Sequence, residues 1–103
     1  MKITKPQAIK QNWDQVTSLN YKLPQLNQSI VFAELNGDHG KVSTGETERI
    51  YYILSGTGEF EFNDQKIQVN TEDVITIPPN TVYDYRPTNG SLKILLFMEL
   101  WDN

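Results

Sequence analysis

From Ser29 onward the apolar residues fall into short runs closed by turn-forming residues, a pattern that predicts strands. "SIVFAEL" ends at "NGDHG", which carries Gly37 and Gly40. "RIYYIL" follows, and then "GEFEF", where Phe60 and Phe62 alternate with Glu59 and Glu61 as on a half-exposed strand. "NDQ" turns the chain into "KIQV", since Asn and Asp tolerate the positive φ angles of tight hairpins. "DVITI" stops at Pro78-Pro79, "VYDY" stops before Pro87, and "SLKILLFMEL" follows the turn "TNG". Strands of about five residues, recurring about every eight to twelve, predict an all-β antiparallel sandwich or barrel over residues 29–103.

Residues 1–28 are less regular. In "KPQAIKQNWDQV", Pro6 suits the first turn of a short helix, with Ile9, Trp13 and Val16 in line at helical spacing. The same stretch reads equally as an extended segment held by Trp13. Either way it is expected to pack on the barrel or on a partner subunit.

Composition narrows the chemistry. A chain of 103 residues with 38% apolar and 21% charged residues is large enough for one core and too short for two. A net charge of −4 and a pI near 4.8 give no basic patch for nucleic acid or anionic lipid. No apolar run approaches the ~20 residues of a membrane span, and "MKITKPQAIKQNW" lacks the apolar centre of a signal peptide, so a cytoplasmic location is expected. With no cysteine and one histidine, His39, transition-metal sites built on thiolates or several imidazoles are excluded from a single chain.

The spacing of the turns resembles the cupins, small double-stranded β-helix or jelly-roll barrels of the RmlC-like kind, over roughly residues 30–98. The outer glycines of the first cupin motif fall on Gly37 and Gly56, around the aromatic strand and Gly-rich turn "YYILSGTGEF". "EDVITIPPNTVYDYRP" follows the second motif, with Pro78 on its proline and Asn80 where a glycine stands, a position Asn can fill at positive φ. The metal-ligand positions do not follow. They fall on Ser43, Gly45, Arg49 and Tyr83, and sliding the histidine pair by one gives Val42 and Thr44. Arginine cannot coordinate a cation. The resemblance therefore implies a cupin barrel with an irregular or short helical N-terminal segment, without a metal site and with no cofactor expected.

Strand alternation puts Tyr51 and Ile53 on the face of Arg49, and Ile50, Tyr52 and Leu54 on the other. If the second motif points inward as in the family, Tyr83 and Tyr85 do too. The ligand-binding candidates are thus Arg49, Tyr51, Tyr83 and Tyr85: one guanidinium among phenols. A buried guanidinium needs an anion. Three arrangements supply or avoid it: a bound small anionic or hydroxylated ligand such as a sugar or sugar phosphate, a protein carboxylate from Glu46, Glu48, Asp84 or Glu99, or placement at the barrel mouth with the head in water.

Tyr83 is also the candidate proton donor or acceptor of a metal-free reaction. Some cupin-like sugar isomerases and epimerases pair a tyrosine with a histidine and carboxylate dyad, whereas His39 in "GDHG" lies outside the motif positions and reads as a solvated turn residue. "SGTG" lacks the helix that a phosphate loop requires, and Ser43 lacks a base. Trp13 and Trp101 read as packing or dimer contacts. An alternative to ligand binding is a homodimeric interaction module, with Ile50, Tyr52 and Leu54 on one face and Leu92, Ile94, Leu96 and Met98 as surplus apolar surface.

Overall fold

In the computed structural model, which describes residues 1–100, two β-sheets face each other across an aromatic and aliphatic core. Ten strands run in chain order: β1 Ile9–Trp13, β2 Val16–Leu23, β3 Gln28–Leu35, β4 Val42–Ser43, β5 Arg49–Ser55, β6 Gly58–Phe62, β7 Gln65–Val69, β8 Val74–Ile77, β9 Val82–Pro87 and β10 Leu92–Glu99. One sheet has the order β1-β2-β3-β10-β5-β8 and the other β4-β9-β6-β7, the paired sheets of a jelly roll. Every pairing is antiparallel. No helix among the described residues is long and apolar enough to cross a membrane.

The strand positions follow the apolar alternation. On β5, Tyr51 and Ile53 are buried while Ile50 is exposed, and on β9, Tyr83 and Tyr85 are buried while Val82 is exposed. The hairpin between β6 and β7 turns through Asn63 and Asp64, both at positive φ. Asn80, in the place of the motif glycine, is at φ +54°.

Two expectations change. Pro6 does sit in a single 3-10 turn, Lys5–Gln7, but Ile9, Trp13 and Val16 do not form a helix face. They belong to a β1–β2 hairpin whose Trp13 pairs with Val16 around Asp14, at φ +45°, and whose β2 pairs with β3 along its whole length. The N-terminal residues thus complete a wall of the barrel. Leu92, Ile94 and Leu96, read above as surplus surface, are buried in the core because β10 is a central strand between β3 and β5. The outward apolar residues of that sheet include the well-exposed Ile50, Val74 and Phe97.

Register places the inward side chains in rows across the large sheet. Asn20 pairs with Val31, Val31 with Leu96, and Leu96 with Tyr51; the next row runs Ser18, Ala33, Ile94, Ile53. Towards β5 the rows are aromatic and aliphatic. Towards β2 they end in polar groups.

Candidate functional site

Between the sheets lies a cavity of about 450 Å³, in the range of small-molecule sites. Its apolar floor is Val31, Ile94, Leu96 and Met98 from the large sheet, and Val42 and Tyr85 close it from the other. Arg49 and Tyr51 stand on one wall, with Ser18 and Asn20 from β2 and Gln11 and Trp13 from β1 on another.

Three of the four candidates, Arg49, Tyr51 and Tyr85, line this cavity. Tyr83 stands behind them. Its hydroxyl accepts a hydrogen bond from Arg49 Nη1 at 2.7 Å and shares a very short one with the Tyr51 hydroxyl. The guanidinium carbon lies 5.8 Å from the centre of the Tyr83 ring, within cation–π range. Phe60 supports the cluster: it stacks on Tyr85 at 4.6 Å and meets Tyr51 edge-on at 5.0 Å.

The electrostatics leave the cation without a counter-charge. Every ion pair among the described residues converges on Arg86, which reaches Asp38, Glu59, Glu61 and Asp84. Asp84 also accepts from the Gly40 amide, and Glu99 accepts from Asn27. None of Glu46, Glu48, Asp84 or Glu99 is within ion-pair distance of Arg49, whose Nε is buried without a hydrogen-bond partner. Burial works to lower the Arg49 pKa, but Tyr83 and Tyr51 outweigh it and hold it above its ordinary value. Burial raises the Tyr51 pKa far above the phenol range, and burial followed by Tyr83 does the same for Tyr85, so both are neutral donors at neutral pH.

His39 and Trp13, with Gln11, Ser18 and Asn20, are cavity-wall residues that sequence reasoning did not single out as such. The His39 amide donates to the Tyr85 carbonyl at 2.9 Å, which folds the "NGDHG" loop over β9. The imidazole stacks on the Tyr85 ring at 4.7 Å and is capped edge-on by Trp13, whose Nε1 donates to the His39 carbonyl at 3.2 Å. His39 is therefore a cavity wall residue and not a solvated turn. Trp101 lies outside the described residues.

Burial lowers the His39 pKa from 6.5, opposed by a hydrogen bond with the Gly40 carbonyl and by Asp84 and reinforced by Arg49. The unfolded chain then binds the proton more readily than the folded one. The stability tied to His39 is present above the ordinary pKa and falls as pH drops through it towards the folded value. We expect the urea midpoint to decline between about pH 7 and pH 5, and to decline less in His39→Gln. An equal slope in both proteins would contradict a buried neutral imidazole.

The donor set does not suit the metal of the cupin pattern. The four motif positions hold Ser43, Gly45, a cationic Arg49 and Tyr83, and among the described residues no group of three His, Asp or Glu side chains is arranged to hold a metal ion.

Comparison with known proteins places this geometry in context. Residues 25–98 match the protein family described as the AraC-like ligand binding domain. The nucleoside dehydratase Pac13 superposes with a TM-score of 0.86 at 24% identity, over 100% of this chain and 84% of its own. The Streptomyces protein has also been solved with uridine in variants that replace a tyrosine by phenylalanine or a histidine by glutamine. A cupin superfamily protein from Desulfitobacterium hafniense superposes at 0.71 with 25% identity, covering 90% of this chain and 84% of its own. The Cnp3 cupin domain of Schizosaccharomyces pombe does so at 0.79 with 12% identity, covering 97% and 74%. No curated protein sequence matches the chain.

Proposed function

The chain belongs to the AraC-like ligand-binding domain family, and from that premise we propose that its barrel binds a small hydroxylated molecule of the nucleoside or sugar kind, without a metal. The ligand presents an anionic or strongly accepting oxygen to Arg49. One observation carries this reading: a cationic guanidinium on the cavity wall with a buried, unpartnered Nε and no carboxylate among the described residues to neutralise it. A ligand oxygen satisfies that N–H and offsets the burial of the charge. The aromatic rings of Tyr85, Tyr51 and Trp13 suit the faces of a base or sugar ring. The fold likeness to a protein solved with uridine makes nucleosides the first compounds to try.

The test is thermal unfolding with uridine, uridine monophosphate and glucose 1-phosphate, for the wild type and Arg49→Gln. A ligand at a hundred times its Kd adds about 2.7 kcal/mol of stability. We expect at least one compound to raise the wild-type Tm and none to raise that of Arg49→Gln. No shift with any compound, or equal shifts in both proteins, would contradict the reading.

A second reading, metal-free acid–base catalysis, is favoured by His39. Its Nδ1 lies 2.9 Å from the Gly40 carbonyl, which suits a proton on Nδ1 and leaves Nε2 free to accept one. In a dehydration, that imidazole takes a proton from a substrate carbon while a neutral phenol, Tyr51 or Tyr85, gives its proton to the departing hydroxyl, which leaves as water. Membership of a homodimer, with Ile50, Val74 and Phe97 in the interface, is compatible with either reading.

A further inference from the structure

Asn20 is 4% exposed, and its side-chain oxygen is buried without a partner. It lines the cavity next to Ser18, itself 4% exposed and one inward position earlier on β2. An unsatisfied buried acceptor is costly, and native proteins retain few of them. The only other unsatisfied buried side-chain atom among the described residues is Arg49 Nε, a donor on the same cavity. The two orphans have opposite hydrogen-bonding character. Asn20 begins the row Asn20, Val31, Leu96, Tyr51, and Arg49 is the inward residue before Tyr51 on β5. Three strand spacings separate Asn20 from Tyr51, about 14 Å at the backbone. The stretch between them is the apolar floor of Val31 and Leu96.

We infer that Asn20 determines specificity for ligands with a hydrogen-bond donor: its amide oxygen accepts an N–H or O–H of the molecule whose oxygen faces Arg49. The inference rests on the ligand-binding reading above and adds the second end of the ligand. The occupant has an acceptor at one end, a donor at the other and a ring between them that lies on Val31 and Leu96. Two complementary orphans that one molecule satisfies together discriminate strongly, because an analogue lacking either group leaves a buried polar atom unpaired.

Asn20→Leu tests this, since leucine has a similar shape and no polar atom. An asparagine whose hydrogen bonds hold the apo fold together would lower the urea midpoint when replaced. One left unsatisfied for a ligand leaves the midpoint unchanged or raised. The midpoint of the ligand-free variant is therefore the first arm, and a clear fall overturns the inference whatever binds. The second arm is calorimetric titration of wild type and Asn20→Leu with uridine, 3-methyluridine, 2′-deoxyuridine and 3′-deoxyuridine, each analogue lacking one donor. We expect the wild type to bind uridine and to lose about tenfold or more on removal of one of the three donors. In Asn20→Leu, uridine binding weakens by a similar factor and that preference disappears. If the wild type binds uridine and Asn20→Leu keeps the full preference, the inference falls while the Arg49 reading stands. If the wild type binds none of the four, and no compound of the earlier panel, both fall together.

Discussion

Gly56→Ala is expected to lower unfolding stability by about 2–5 kcal/mol, a large part of the about 5–15 kcal/mol of a domain this size. Two effects add. Gly56 sits at φ +93°, where an L side chain costs about 1–2 kcal/mol. A Cβ there would also lie 2.3 Å from the Ser91 carbonyl oxygen, which belongs to the backbone entering β10 and has little freedom to withdraw. Gly56 is itself held in place, its amide donating to the Thr71 hydroxyl and its carbonyl accepting from it. Gly90→Ala is the control. Gly90 is at φ +73° with nothing near its would-be Cβ, so it carries the conformational cost alone. Urea denaturation of the two variants measures the difference, and similar midpoints would show that the close approach to Ser91 relaxes without cost.

Phe60→Ala should cost about 3–5 kcal/mol, or about 15–30 °C in Tm for a chain of this length. The ring is fully buried. Its removal also takes away the stacking partner of Tyr85 and the edge contact of Tyr51, each worth about 0.5–1.5 kcal/mol beyond area burial. Because these two phenols line the cavity, ligand-induced stabilisation should fall as well. Phe60→Leu keeps most of the volume and separates the effects: its stability loss should be smaller, while the loosened Tyr85 still weakens binding. Calorimetric melting of both variants decides it. A loss below about 1 kcal/mol in Phe60→Ala would mean that the sheets close over the gap.

The strands from Ser29 onward were legible because their inward positions are apolar and their turns carry Gly, Pro, Asn and Asp. Arg49 was legible for the opposite reason, as a charge at an inward position. Tyr51 followed from alternation, and Tyr83 and Tyr85 from the cupin resemblance of the second motif, although only packing tells that Tyr83 stands behind the cavity wall. The N-terminal stretch stayed open between a short helix and an extended segment because β2 inverts the usual pattern. Its buried residues are Val16, Ser18 and Asn20, while Leu19 and Tyr21 face outward and remain part-exposed. A strand whose inner face is polar gives no apolar alternation to count, and Ile9, Trp13 and Val16 happen to fit a helix. Ser18 and Asn20 face a cavity and not the core, so the polarity that obscured the strand belongs to the cavity wall. His39 was missed because its place depends on one long-range backbone hydrogen bond to Tyr85, which local spacing does not encode.

The cavity is assembled from two stretches of chain that carry different duties. Gln11, Trp13, Ser18 and Asn20 come from the N-terminal hairpin, whereas Arg49, Tyr51 and Tyr85 come from the barrel's inner strands. The hairpin sits at the edge of the larger sheet, where β3 is its one strand partner, while β5 is paired on both sides. On the ligand-binding reading proposed above, mutational tolerance is expected to be uneven around this cavity. Changes in the edge hairpin can retune which molecules are accepted while the charged handle stays in place. On the same reading, ligand choice and barrel stability are set by different strands, the first by β1 and β2 and the second by the aromatic interior.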